Sequence, residues 1–465
     1  MKNYFHIVLL SGLLLLFFSI NSCKKPLSYS KNNLSFSTDT ILFDTIFTTI
    51  GSTTKHFKIY NSNNLPINIE EIELMGGNSS PFRINIDGVS GTYLKDIELR
   101  KKDSLFAFVE VTLEVNNTSN PLIISDSIRF RTNGENQYVY LDVWGQDAYF
   151  HVNEIVGDSY SPWLNDKPHV IYGLAAVGYP GIDSNLTLTI PPGTQVHCHK
   201  NAVLFVYKST IDIQGQLNNE VVFQGDRLEP FYDDVPGQWY GIILSQAKNC
   251  NIDYAIIKNG ALGLRVDTTS SSNTLNLTNT IIDNNDFYNL MVNAGAIVTV
   301  ENCVLGKSGI SSTLLFAGGT SNFKNCNFVN YWTGTRSGPA FALKNWYKDD
   351  NGTIYERDIV CTIDNSVFYG NSNDEFVIDS LANSSVLFNV SIADCLIKKD
   401  SIYNYNYLSN IIWNVDPLFV DFSTNDLHVN SGSPLIDAGN LSTSTTTSID
   451  GISRGSNPDI GAYEF

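Results

Sequence analysis

Basic residues are scarce in this chain: 29 Lys and Arg stand against 47 Asp and Glu, a net charge of −18 over 465 residues. That excludes nucleic acid as a partner, because phosphates need a basic face to neutralise them. Methionine is nearly missing, at three residues, and none of the seven cysteines stands in C-x-x-C spacing. Neither a zinc ribbon nor a thioredoxin-type redox site is therefore indicated. No segment carries apolar residues at a 3.6-residue period, which removes helix bundles and the common helical repeats. Long apolar runs are missing too, apart from one at 7–18 that is too short to span a bilayer as a helix.

That run follows Met1-Lys2-Asn3 and precedes Ser19-Ile20-Asn21-Ser22-Cys23, the order of charged, apolar and small residues in a secretory signal. Ile20-Asn21-Ser22-Cys23 resembles a bacterial lipobox. The resemblance implies that residues 1–22 are removed and that Cys23 is acylated, with 23–33 as a polar tether. Each buried methylene contributes about 0.8 kcal/mol, so one acyl chain anchors marginally and the two or three of a lipoprotein hold firmly. The expectation is a membrane partner through this lipid, as an outer-membrane lipoprotein of the cell envelope. Lys24-Lys25 leaves its periplasmic or external facing open.

Residues 34–148 break into short segments of alternating polarity, such as His56-Phe57-Lys58-Ile59-Tyr60 and Phe106-Ala107-Phe108-Val109-Glu110-Val111, separated by turns such as Asn133-Gly134. Half-buried strands at this spacing predict an antiparallel β-sandwich. The segment resembles the Ig-like domains that precede β-helices in surface proteins, a spacer or a carrier of partner loops. Residues 149–171 read as a linker or cap.

From 172 to 415 the chain repeats. Tyr254-Ala255-Ile256-Ile257, Asn279-Thr280-Ile281-Ile282, Asn302-Cys303-Val304-Leu305, Asn325-Cys326-Asn327-Phe328, Asn365-Ser366-Val367-Phe368 and Asp394-Cys395-Leu396-Ile397 share one template: Asn, a small residue, then two mostly apolar positions. Subtracting the positions of the small residue (255, 280, 303, 326, 366, 395) gives steps of 25, 23, 23, 40 and 29, one coil each with insertions in the last two. This period predicts a parallel β-helix, whose coils stack by strand pairing. Asparagine tolerates the left-handed backbone of a tight turn, so Asn279, Asn302, Asn325 and Asn365 are expected to form a ladder bonded from coil to coil. Cys303, Cys326 and Cys395 fall at the small position and read as compact core residues; a Cys303–Cys326 disulfide is the alternative, against which stands the separation of Cβ atoms on adjacent rungs.

The opening Leu186-Thr187-Leu188-Thr189-Ile190-Pro191-Pro192-Gly193 and the later Gly237-Gln238-Trp239-Tyr240-Gly241 resemble the right-handed β-helices of the pectate-lyase-like superfamily. So does the end, Ser433-Pro434-Leu435-Ile436-Asp437-Ala438-Gly439 with Asp459-Ile460-Gly461-Ala462-Tyr463-Glu464, which implies that 416–465 closes the β-helix. The fold class is thus all-β, an Ig-like sandwich followed by a right-handed parallel β-helix. For activity the resemblance says little, because this superfamily includes lyases, hydrolases, adhesins and proteins without assigned roles. Its Gly-His-Gly and paired-arginine signatures are missing from this chain, and no Arg-x-Lys falls within 172–415.

The most chemical segment is Asp226, Arg227, Glu229, Tyr232, Asp233, Asp234 and Trp239, in one loop that mixes carboxylates, a cation and aromatics. It reads as a calcium or sugar site, with Tyr232 or Trp239 stacking a ring, or as a structured loop closed by an Arg227 ion pair. Calcium is the one ion considered; no other cofactor is implied. His197 and His199 alternate with Val196 and Cys198, which predicts two solvent-facing imidazoles and a poor zinc site. Aromatics in the insertions, among them Tyr331, Trp332, Trp346, Tyr347 and Tyr355, offer a sugar-stacking surface or pack under loops. Asp followed by Ser or Thr and an aliphatic residue, at Thr40, Thr45, Ser104, Ser127, Ser380 and Ser401, resembles an O-glycosylation signal of some Gram-negative bacteria. The reading that joins these observations is a lipid-anchored envelope protein that presents a non-catalytic β-helix surface to a glycan or an envelope protein. A polysaccharide lyase or glycoside hydrolase with an atypical site is the first alternative, and a purely structural or assembly role the second.

Overall fold

A computed structural model describes residues 28–115, 122–267, 274–293, 295–381, 385–402 and 405–465. Cys23 and the lipobox lie outside them. The chain divides into two compact units, which meet in sequence between Gly145 and Gln146.

The first unit is a β-sandwich. One five-stranded antiparallel sheet runs in the order Ser35–Phe36, Lys55–Tyr60, Ser104–Val111, Phe82–Ile86, Val89–Ser90; the other runs Thr40–Phe47, Glu135–Gln146, Leu122–Thr132, Ile67–Leu74, Tyr93–Leu99. Alternation decides the burial. Phe57, Ile59, Ala107, Val109, Ile69, Ile72, Phe130 and Leu141 turn inward and share a single core.

The second unit is a parallel β-helix, and its 25-stranded sheet winds so that each strand pairs with the third before and after it. That pairing defines three faces. The first carries Thr187–Ile190, Thr210–Gln214, Cys250–Asp253, Leu275–Thr278, Ile297–Glu301, Gly319–Lys324 and Ile359–Asp364. The second carries Gln195–Cys198, Val221–Gly225, Ala255–Lys258, Ile281–Asp283, Val304–Leu305, Asn327–Asn330 and Val367–Gly370. The third carries Val203–Tyr207, Gly241–Ser245, Leu262–Val266, Tyr288–Val292, Ser311–Phe316, Phe341–Lys344 and Phe376–Asp379. Winding starts upstream of the expected boundary: Tyr149–Ile155 already pairs in parallel with His169–Val177, so the supposed linker contributes a rung.

Inward positions stack in register. On the second face Val196, Phe223, Ile257, Ile282, Leu305, Phe328, Phe368 and Ile397 lie one above another, and all are buried. Phe328 and Phe368 lie parallel at 4.8 Å between ring centroids. Between the first and second faces the turn is the expected one: Asn279, Asn302, Asn325, Asn365 and Asp394 hold φ between 48° and 53°, in the left-handed region that Asn and Asp tolerate. The small residue follows because it is buried inside that corner. There its hydroxyl or thiol donates to the carbonyl two residues back, as in Ser366 to Asp364 at 2.8 Å and Cys326 to Lys324 at 3.3 Å. It also accepts an amide from the preceding coil, as in Ala255 N to Thr280 Oγ1 at 3.2 Å and Cys326 N to Ser366 Oγ at 3.1 Å. Cys303, Cys326 and Cys395 are free thiols, not a disulfide, and burial raises the pKa of each.

The asparagine ladder departs from expectation. Among its members only Asn302 donates directly to a neighbour, Asn279, at 3.2 Å. Asn279 donates to Asp253 of the preceding coil at 2.8 Å, whereas Asn302, Asn325 and Asn365 bond residues 440–461, which do not cap the end of the coils but run back along the outside of the second face. Asn365 and Asn440 exchange two hydrogen bonds, of 2.7 and 3.0 Å. Thr445 N donates to Asn325 Oδ1 at 2.9 Å, and Asn302 Nδ2 donates to the Thr447 carbonyl at 2.8 Å. Beneath this strap, outward-facing Val304, Val329, Val367 and Leu396 form a second core with Phe419, Leu427, Leu435, Ile449, Ile460 and Ala462. Gly461, at φ 109°, passes so close that a Cβ there would come within 2.5 Å of Asn327 Oδ1. Arg454 holds the strap's own fold: its side chain is fully buried, pairs with Glu464 at 2.7 Å and donates to the Gly461 carbonyl at 2.7 Å.

Candidate functional site

The three faces meet solvent differently. Outward side chains of the first face are hydroxyls, amides and carboxylates, such as Thr189, Asp212, Asn251, Asn276, Thr299, Asn322 and Thr362. The second face is under the strap. On the third, the outward positions in register are Phe205, Ile243, Arg265, Met291, Leu314, Ala342 and Val377, all half-buried. It is a shallow apolar floor interrupted by one guanidinium. Arg265 is turned toward Asp267 at 2.9 Å, and Asn293 of the next coil bonds the same carboxylate at 2.5 Å.

Both edges of this floor carry the chain's insertions, since length variation cannot fall in the tight asparagine corner. Along one edge, linking the second face to the third, run residues 226–240 and 331–340. Along the other a hairpin, Trp346–Lys348 with Ile354–Glu356, links the third face to the first. Tyr347 and Tyr355 stack at 5.0 Å, Phe316 of the preceding coil lies 6.2 Å from Tyr347, and Lys344 sits 3.6 Å over the Trp346 ring. Trp346 Nε1 donates to Asp379 Oδ1 at 3.0 Å, and Lys344 pairs with the same carboxylate at 3.0 Å. These ring and cation contacts fix the hairpin against the coil. At the far end, beside Val377, a cavity of about 460 Å³ is bordered by Arg336, Ser337, Asn371 and Asp374. The Arg336–Glu375 pair at 2.5 Å, with both side chains buried, holds its wall, and Glu375 also accepts the amides of Ala340 and Ser372.

The loop at 226–239 gathers its chemical residues but commits most of them internally. Arg227 makes two hydrogen bonds to Glu229, at 2.8 and 3.0 Å, and lies 4.1 Å over the Tyr232 ring. Asp226 pairs with His199 at 2.6 Å, and His199 stacks on Tyr172 at 4.2 Å. Burial, aided by Asp226, pushes the Tyr172 hydroxyl up to about 12. Gln238 and Asn259 fasten the loop backbone through the carbonyls of Tyr232, Val235 and Asp233. Asp233 and Asp234 are exposed. Trp239 is not a stacking platform: it is 1% exposed, and its Nε1 donates inward to the Lys258 carbonyl at 2.9 Å. The ring offered to solvent is Phe231, 78% exposed. Among the described residues no three or more His, Cys, Asp or Glu side chains converge to hold a metal ion. His197 faces outward in register yet is buried, and that burial pushes its imidazole down to about 4.

Sequence reasoning missed Asp286, at the same edge two coils on. Burial raises its carboxyl above the ordinary range, and a Cβ at Gly237 of the loop would come within 2.1 Å of its Oδ2. The third-face floor was legible in principle, because a strand with half-buried apolar residues between core positions is not fully solvated. The coil register needed to align those positions was not.

No family model matches the chain, and no curated protein does. Among solved structures it is similar to the catalytic unit of a thermostable family 87 α-1,3-glucanase from Streptomyces thermodiastaticus, at 12% identity over 77% of this chain and 74% of that one, with a TM-score of 0.26. It is similar as well to the catalytic domain of a family 87 α-1,3-glucanase in complex with tetrasaccharides, at 9% identity over 81% and 90% with a TM-score of 0.25. A family 123 glycoside hydrolase from Clostridium perfringens matches at 10% identity over 25% of this chain and 30% of that one, with a TM-score of 0.18. Scores of this size assign neither an activity nor a substrate to this chain.

Proposed function

We propose that the protein is a lipid-anchored component of the cell envelope whose β-helix binds an extended glycan along its third face. One observation carries the reading. Of three faces built by the same alternation, the third is apolar along its middle and left uncovered by the described residues, with aromatic and charged insertions raised on both edges. An extended sugar chain suits such a floor, because its C–H faces lie on Phe205, Met291 and Leu314 while its hydroxyls reach Arg265, Asp267, Lys344 and Asp379. Acylation of Cys23 would hold the protein at the membrane.

Affinity electrophoresis through gels containing dextran, laminarin, xylan or polygalacturonate tests the binding. Retardation by at least one polysaccharide, weakened in a Met291→Lys/Leu314→Lys double variant that melts like the parent, is the expected result; equal mobility of parent and variant in every gel overturns it. Metabolic labelling with a fatty acid, absent from Cys23→Ser, tests the anchor.

A second reading, glycoside hydrolysis, is favoured by the place of Asp286, a carboxyl raised by burial and set against Gly237 of the candidate loop. Reducing-end and unsaturated-uronate assays with and without calcium separate the two. Turnover abolished in Asp286→Asn would replace the non-catalytic reading.

A further inference from the structure

The sandwich carries aromatic rings where a solvent-facing sheet surface ordinarily carries polar side chains. Phe106 and Phe108 alternate with inward Ala107 and Val109 and are 37% and 39% exposed. Their rings are nearly parallel, stacked at 5.9 Å between centroids with an interplanar angle of 17°. His56 on the neighbouring strand adjoins both, at 5.7 and 6.0 Å, and the Lys58 ammonium lies 4.7 Å from the Phe106 ring centre.

A cavity of about 380 Å³ opens beside Phe108, bordered by Arg83, Asn85, Ser90, Thr92 and Glu110. Arg83 and Glu110 are register partners on adjacent strands, where opposite charges ordinarily close into an ion pair. No ion pair joins them. Arg83 instead donates from Nη1 to the carbonyls of Ser80 at 2.6 Å and Phe82 at 2.8 Å, and Glu110 Oε1 accepts from Thr54 at 2.5 Å. A donor fork and an acceptor are thereby held on the same wall of a cavity that Phe108 of the stacked pair also lines.

We propose that this surface is a second saccharide-binding site, which takes a hexopyranose unit with its C–H face on Phe106 and Phe108 and its vicinal hydroxyls between Glu110 and Arg83. A sugar is the ligand because each hydroxyl both donates and accepts, so adjacent ones satisfy a carboxylate and a guanidinium together. An anionic lipid surface would call for cations alone around the rings, and a protein partner for a continuous apolar centre. The site is independent of the third-face reading.

The test uses full-length protein carrying Met291→Lys/Leu314→Lys, so that the β-helix floor is already disabled. In gels containing dextran, laminarin or xylan, this background protein should still be retarded by at least one polysaccharide. Adding Phe106→Ala/Phe108→Ala should weaken that binding tenfold or more, and Glu110→Gln several-fold, with unchanged thermal midpoints because all three side chains are exposed. If the background protein runs freely in every gel, or the aromatic variant keeps its retardation, the proposal fails whatever the β-helix binds. Capture of a protein that Phe108→Ala abolishes, with no retardation by any polysaccharide, would also overturn it.

Discussion

The second and third faces of the β-helix begin from the same rule and end differently. In both, every other residue enters the common core, and the residues between them are largely apolar. On the second face those outward residues sit under a strap fastened to the asparagine corner; on the third they stay half-exposed between raised edges. Outward apolar residues alone therefore do not mark a binding surface. What marks one is that none of the described residues covers it.

The strap side should break most easily. Arg454→Ala leaves Glu464 charged beneath the strap, and loss of one partner of a buried pair costs about 3–5 kcal/mol. Chemical denaturation would measure it, and a dye that binds exposed apolar surface should report Val304, Val329 and Val367 becoming accessible. Leu435→Ala, in the core beneath the strap, removes an almost fully buried side chain, for about 2–5 kcal/mol. Asn325→Ala should cost about 1–3 kcal/mol, because the amide of Thr445 loses its acceptor at a partly buried site. Were Asn325→Ala silent, the ladder would be serving the turn alone.

Titration sharpens the contrast between the strap and the first coils. Burial works against charge on His428, but hydrogen bonds to Asp426 and Asp450 outweigh it and hold its pKa above the ordinary value. Its contribution is complete below the unfolded value of about 6.5 and fades as pH rises through the folded pKa. His169 and His197 behave oppositely: burial pushes both down to about 4, so they stabilise the fold as neutral rings and lose that contribution as pH falls from about 6.5 toward 4. Melting curves across pH should show His428→Gln flattening the alkaline limb and His197→Phe the acid limb. The smallest effect belongs to the third face, where Leu314→Lys should shift stability by no more than about 0.5 kcal/mol while weakening glycan retention.

Much of the β-helix was legible because its tight corner demands a residue type. The left-handed backbone selects Asn or Asp, the cramped interior selects Ala, Thr, Ser or Cys, and together they wrote a template visible without coordinates. The strap was written there too. Pairs such as Ile281-Ile282, Val304-Leu305 and Val367-Phe368 put an apolar residue on each side of one strand, the mark of a sheet covered on both faces. Nothing local says which segment supplies the cover. Trp239 was misplaced for a related reason: an aromatic beside glycines in a polar loop looks exposed, and only the coil geometry turns its indole toward Lys258. In the candidate loop Arg227 and Glu229 are spent on each other and Asp226 on His199, and Asp286 escaped notice as a single carboxylate between repeats.

The strap's position also sets an order of assembly. Each coil it covers leaves the ribosome before it does, so Val304, Val367 and Leu396 wait uncovered while translation continues. A chain interrupted in that interval would carry a complete spiral with a greasy stripe down one side, open to chaperones and proteases. Residues 440–461 thereby act as a seal of completion, and a truncated product is distinguishable from a finished one by its surface alone.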